Sequence, residues 1–149
     1  MQDVGAFLGM IVFTAVATRF GRKPAFLVGF IACLAVTIYV FNNLRTGTDA
    51  YWMLPLMGFA QLSVFGGYAI YFPELFPTRL RSTGTSFCYN VGRFIAAGGP
   101  FLLGLLTSQV FASSPEPMRP AGLVMCGVFL VGLAVLPFAP ETNGQPLPE

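Results

Sequence analysis

The chain has no histidine. It therefore lacks the commonest metal ligand and the side chain best suited to proton transfer near neutral pH. Charge is also scarce. Only 9% of the 149 residues are charged, against about 25% in a soluble domain. So few charges cannot cover a surface in water, and a bilayer is the solvent that fits. The eight Lys and Arg residues are spread over several loops, and the net charge is +2. No basic run exists to follow phosphates, so nucleic acid is not an expected partner. The three cysteines, Cys33, Cys88 and Cys126, all lie in apolar runs. They read as buried packing residues, with no disulfide and no metal site. No acidic residue falls inside a span and no nucleophile–base set is recognisable. The chain is not expected to be an enzyme, and no cofactor or metal is implied.

What the sequence has in quantity is apolar length: 55% of it is hydrophobic. Five runs stand out, Val4–Thr18, Ala25–Phe41, Tyr51–Phe72, Gly84–Val110 and Ala121–Phe138. A membrane helix needs about 20 residues. Only helices and closed barrels satisfy their backbone in lipid, and these runs are too long and too uniform for barrel strands. The expectation is an all-α membrane protein with five transmembrane helices, at about 4–20, 24–41, 51–72, 84–108 and 120–138, followed by a tail at 139–149. The first run carries Gly5 and Gly9 at a spacing that lets helices approach closely, which suggests packing. Pro24 and Pro120 suit helix starts. Gly98-Gly99-Pro100 should bend or loosen the fourth helix. The first charge cluster, Arg19, Arg22 and Lys23, follows the first run, which is the wrong polarity for a cleaved signal.

Loop charge sets an expected orientation. Arg19, Arg22, Lys23, Arg79 and Arg81 fall in one set of loops, and Arg45 and Arg119 in the other. The excess places the first set in the cytoplasm, with the N-terminus outside and the tail cytoplasmic.

Three strings point to one family. The first loop reads Thr18-Arg19-Phe20-Gly21-Arg22-Lys23-Pro24, the second has Glu74 and Arg81 separated by six residues, and the tail reads Pro140-Glu141-Thr142-Asn143-Gly144. They resemble the D-R-x-G-R-[RK], E-x6-R and P-E-T-K-G motifs of sugar-porter-like members of the major facilitator superfamily. Thr18 stands where that family has Asp, Thr14 where it has an upstream Gly, and Asn143 where it has Lys, which weakens the expected lock. The resemblance covers nearly the whole chain. It implies helices eight to twelve of a twelve-helix transporter, a partial C-terminal bundle whose N-terminal half is missing, or a gene model begun at an internal Met. It further implies a cytoplasmic gate built from Arg22, Lys23, Glu74, Arg81 and Glu141. Independently of the family, opposite charges at neighbouring helix ends can pair and bias one of two packings.

Arg93 is the candidate for substrate chemistry. It lies nine residues into the fourth run, about 14 Å deep, near the middle of a core roughly 30 Å thick. An arginine there costs at least about 2.5–3.5 kcal/mol and needs a partner or a cavity. Ser86, Asn90, Arg93 and Ala97 recur at helical spacing and share a face. On the third helix, Gln61 and Tyr68 are further candidates for lining a cavity. The leading functional expectation is transmembrane transport of a small polar metabolite (a sugar, sugar acid or organic acid) by alternating access with proton coupling, in the plasma (inner) membrane. The expected partners are the small-molecule substrate, protons, the bilayer and the other half of the permease. The competing reading is a small non-transporting membrane subunit or scaffold, against which a midplane arginine argues.

Overall fold

A computed structural model describes residues 2–149. Among the described residues every regular element is helical. Three long helices come first: α1 (Gln2–Phe20), α2 (Arg22–Asn43) and α3 (Gly47–Leu75). The fourth apolar run is divided into α4 (Arg81–Ala96), α5 (Gly98–Leu105) and a π-helical turn, Leu106–Val110. The fifth is divided into α6 (Met118–Met125), α7 (Gly127–Val135) and a 3₁₀ turn, Leu136–Phe138. These elements give five segments long and apolar enough to cross a membrane. The helices extend past the apolar runs because Arg22, Glu74 and Arg81 occupy their terminal turns.

Both divided spans have a local cause. Pro100 has no N–H to give to the carbonyl four residues earlier, and two glycines precede it, so the fourth span breaks at Ala97. In the fifth, the Cys126 N–H is shared between the carbonyls of Gly122 at 3.1 Å and Leu123 at 3.2 Å. That bifurcation tightens the turn and separates α6 from α7. At its other end, α3 is opened by a reciprocal cap. Thr46 N–H donates to the Asp49 carboxylate at 2.9 Å, and Asp49 N–H donates to the Thr46 hydroxyl at 3.4 Å.

Small residues set how the helices meet. In lipid there is no hydrophobic drive between helices, so close van der Waals contact must hold them. Gly5 and Gly9 of α1 lie directly on α3: a Cβ at Gly5 would overlap the Pro55 carbonyl oxygen, and one at Gly9 the Phe59 carbonyl oxygen. The spacing read as a packing feature thus closes the α1–α3 interface. Phe26 of α2 fills the centre of the bundle, with Phe13 and Tyr68 at 5.2 Å and Tyr71 at 5.5 Å between ring centroids. The last span packs on α2 by placing Gly122 against the Phe41 ring and Gly132 against the Phe30 ring. Arg119 ties the two together at one end, pairing with Glu116 and donating to the carbonyls of Leu44 at 2.8 Å and Asn42 at 3.3 Å. Cys33 and Cys126 are buried as expected, whereas Cys88 is only half-buried. No residue of α4 or α5 is buried.

Candidate functional site

The first site lies at the end of the bundle where α1 stops, α2 starts, α3 stops and the chain leaves its last span. Its local origin is the start of α2. The residue before that helix is Gly21, at φ 106°, a backbone conformation that L side chains rarely adopt. A glycine has no side chain to cap the helix. Of the first N–H groups of α2, Pro24 has none and Ala25 donates to the Gly21 carbonyl at 3.3 Å. Arg22 and Lys23 are left as orphan donors. Glu141 takes both: Arg22 N–H donates to Oε1 at 2.8 Å and Lys23 N–H to Oε2 at 2.9 Å. A carboxylate also suits the positive end of the helix dipole. A Cβ on Gly21 would lie 2.9 Å from Glu141 Oε2, so the glycine provides room as well as backbone freedom. The tail folds around the same carboxylate, with the N–H groups of Thr142 and Asn143 both 3.1 Å from Oε1. Burial raises the Glu141 pKa, but these four backbone donors outweigh it and hold the carboxyl below its ordinary value of 4.5.

Beside this cap, Arg22 grips Glu74. Nε donates to Oε2 at 3.1 Å and Nη2 to Oε1 at 2.7 Å, a bidentate pair. The remaining Nη1 donates to the Ala17 carbonyl at 2.7 Å and to Asn143 Oδ1 at 3.0 Å. One guanidinium therefore joins α1, α2, α3 and the tail. Thr142 adds a hydroxyl donated to Glu74 Oε2 at 2.5 Å. The Tyr71 hydroxyl holds the start of the tail, donating to the Pro140 carbonyl at 2.7 Å.

The five residues expected to form a gate are placed unequally. Arg22, Glu74 and Glu141 form one connected cluster. Glu141 enters it through backbone N–H groups, where ion pairing had been expected. Lys23 contributes its backbone to that cap and turns its Nζ to the Pro137 carbonyl at 3.0 Å. Arg81 donates from Nε to the Pro73 carbonyl at 3.0 Å and from Nη2 to Thr78 at 3.4 Å, closing the turn between α3 and α4. Sequence reasoning missed Thr142 and Tyr71 as members, and it missed the helix cap. The signal for the cap was present: a glycine before Arg22-Lys23-Pro24 leaves two donors that need an acceptor from elsewhere.

The second group lies within the spans. Asn90 and Arg93 are exposed on α4, on the same face as Ser86 and Ala97. Asn90 donates to the Ser86 carbonyl at 2.8 Å. Gln61 donates to the Thr37 hydroxyl between α3 and α2 at 3.0 Å. Tyr68 is half-buried in an aromatic stack, its ring 5.2 Å from Phe26 and 5.1 Å from Phe72. The four candidates thus divide: Asn90 and Arg93 share an open face, while Gln61 and Tyr68 are engaged in helix packing.

Five long apolar helices, close glycine-mediated contacts and a charge cluster at one end define a polytopic α-helical membrane protein. The chain belongs to the sugar (and other) transporter family of the major facilitator superfamily, whose model matches residues 3–149. It is similar to a protein of Cupriavidus pinatubonensis described as "Probable 4-methylmuconolactone transporter", with 31% identity over 94% of this chain and 32% of the relative. It is also similar to the cis,cis-muconate transport protein of Acinetobacter baylyi, 31% identical over 81% of this chain and 29% of the relative. The proline/betaine transporter of Salmonella typhimurium is 29% identical over 97% of this chain and 29% of the relative. The chain spans about a third of the length of the curated relatives it matches. No solved structure matches it. The family and these relatives are transporters, not enzymes.

Proposed function

We propose that this chain is the C-terminal part of a permease that carries a small organic acid across the bacterial inner membrane by alternating access, coupled to protons. The observation that carries the reading is the contrast between two sites. At one end, Arg22, Glu74 and Glu141 fasten three helices and the tail together. In the middle, Arg93 stands on a helix face that is left exposed among the described residues. An arginine at that depth requires a protein, water or ligand partner. In a two-half transporter the substrate site lies near the midplane, between the halves. The open α4 face supplies Arg93 for a carboxylate and Asn90 for a hydrogen bond, and the other half closes it. Gln61 braces α3 against α2, and the Tyr68 ring stacks on Phe72, which meets Tyr89 of α4. Two relatives are named for muconate or a muconolactone, which favours an acid over a neutral sugar.

The charge cluster serves as a cytoplasmic latch, with Lys23 and Arg81 holding the turns on either side. Its turns face the cell interior, the N-terminus lies outside and the tail lies inside. A bias of a few kcal/mol is enough to favour one of two states. No carboxylate of this sequence occupies the middle of a span, so a proton-coupling acid comes from elsewhere in the full permease.

The test is uptake by the intact permease. Arg93→Ala abolishes uptake of an anionic substrate and leaves membrane insertion unchanged. Normal uptake by that variant would remove Arg93 from the site.

A further inference from the structure

Tyr89 sits one helical turn before Arg93, and residues four apart on a helix are neighbours. It lies at the seam between two surfaces. On one side its ring meets Phe72 of α3, with centroids 5.3 Å apart and planes at 79°. Phe72 in turn stacks on Tyr68 at 5.1 Å. On the other side begins the open stripe of Ser86, Asn90, Arg93 and Ala97. One turn earlier in the same column is Thr85, whose hydroxyl is the buried side-chain oxygen without a hydrogen-bond partner among the described residues. An aromatic row from α3 therefore reaches the polar face of α4 at this one residue. The contact with Phe72 fixes the ring edge-to-face, a preferred aromatic arrangement, so a ligand on Arg93 meets a positioned ring.

We propose that Tyr89 is a specificity-determining residue of the substrate path, selecting a planar, conjugated carboxylate over a saturated one. The acid's carboxylate pairs with Arg93 and its flat carbon skeleton lies against the Tyr89 ring. This inference rests on the transport reading above and adds the shape of the substrate to it. A saturated acid of the same charge keeps the Arg93 contact and loses most of the flat contact. The ring's share of discrimination is about two- to tenfold, the range aromatic contacts supply beyond area.

The test uses the intact permease in proteoliposomes, with muconate and adipate as probes: six-carbon diacids of equal charge, conjugated and saturated. Inhibition constants are measured for both. The unaltered protein prefers muconate. Tyr89→Phe keeps that preference because the ring remains. Tyr89→Leu lowers it by about two- to tenfold, through muconate alone. Equal weakening of both acids in Tyr89→Leu would overturn the inference, since Tyr89 would then only support the position of Arg93. An unchanged preference would overturn it too. Should Tyr89→Leu fail to insert, terephthalate against cyclohexane-1,4-dicarboxylate on the unaltered protein takes its place, and equal inhibition overturns the proposal. Recognition of neither acid by the unaltered permease would overturn the substrate reading and this inference together. Equal recognition of both would overturn this inference alone.

Discussion

Arg22 and Glu74 offer a quantitative test of the cluster. A double-mutant cycle of Arg22→Ala, Glu74→Ala and the double variant isolates their coupling. The side chains are 13% and 17% exposed, so the pair is largely withdrawn from solvent without being sealed. Exposed pairs contribute about 0–1 kcal/mol, and breaking a fully buried pair costs about 3–5 kcal/mol. The bidentate geometry, at 2.7 and 3.1 Å, places the coupling at the value for hydrogen bonds to charged groups, about 1.5–3 kcal/mol. The single variants are also unequal. Glu74→Ala removes the partner of Arg22 and Thr142, whereas Arg22→Ala additionally releases the Ala17 carbonyl and Asn143. Arg22→Ala is therefore the more destabilising, and Arg22→Lys does not rescue it, because an ammonium cannot reproduce the planar fork. The assay is unfolding of the purified chain in mild detergent by titration with SDS, followed by helical circular dichroism and by Trp52, the single tryptophan. A coupling below about 0.5 kcal/mol would put the pair among ordinary surface pairs and refute its role as a fastening.

Two further outcomes follow from the geometry. The folded state holds the Glu141 pKa below 4.5, so Glu141 contributes stability that is present above that value and is lost as pH falls through the lowered folded value. Protection of the Arg22 and Lys23 amides, relative to their intrinsic exchange rates, should fall in that acid range and be already low in Glu141→Gln at neutral pH; protection independent of pH in the unaltered chain would contradict this. Gly9→Ala puts a methyl group into the Phe59 carbonyl and should lower stability in the SDS titration by about 1–3 kcal/mol, the cost of overpacking; an unchanged midpoint would mean that α1 and α3 separate freely.

The candidate site was legible in its parts. Arg22, Glu74 and Glu141 were recognisable as charges flanking apolar runs, and the structure brings them within hydrogen-bond distance of one another's elements. Glu141 adds a role that its charge alone does not announce: it caps α2, accepting from backbone N–H groups 119 and 118 residues away. Arg81 carried the same charge signature as Arg22 and yet bonds to its own turn. Both are arginines at the loop end of an apolar run, and charge at such a place does not say which acceptor the folded chain brings to it. Tyr89 passed unnoticed because one tyrosine in an apolar run has no pattern until Phe72 is seen beside it.

What the sequence alone determined is solvent and period. Scarce charge and five long apolar runs dictate helices in lipid, because an unpaired backbone there costs several kcal/mol per group, and glycine spacing fixes which face of α1 is flat. Only the tertiary structure decided partners: that Gly5 and Gly9 meet α3, that the tail returns to cap α2, and that Tyr89 links an aromatic row to Arg93. Composition and periodicity are properties of a segment. A hydrogen-bond or ring partner is a property of two segments and of the angle at which packing brings them together.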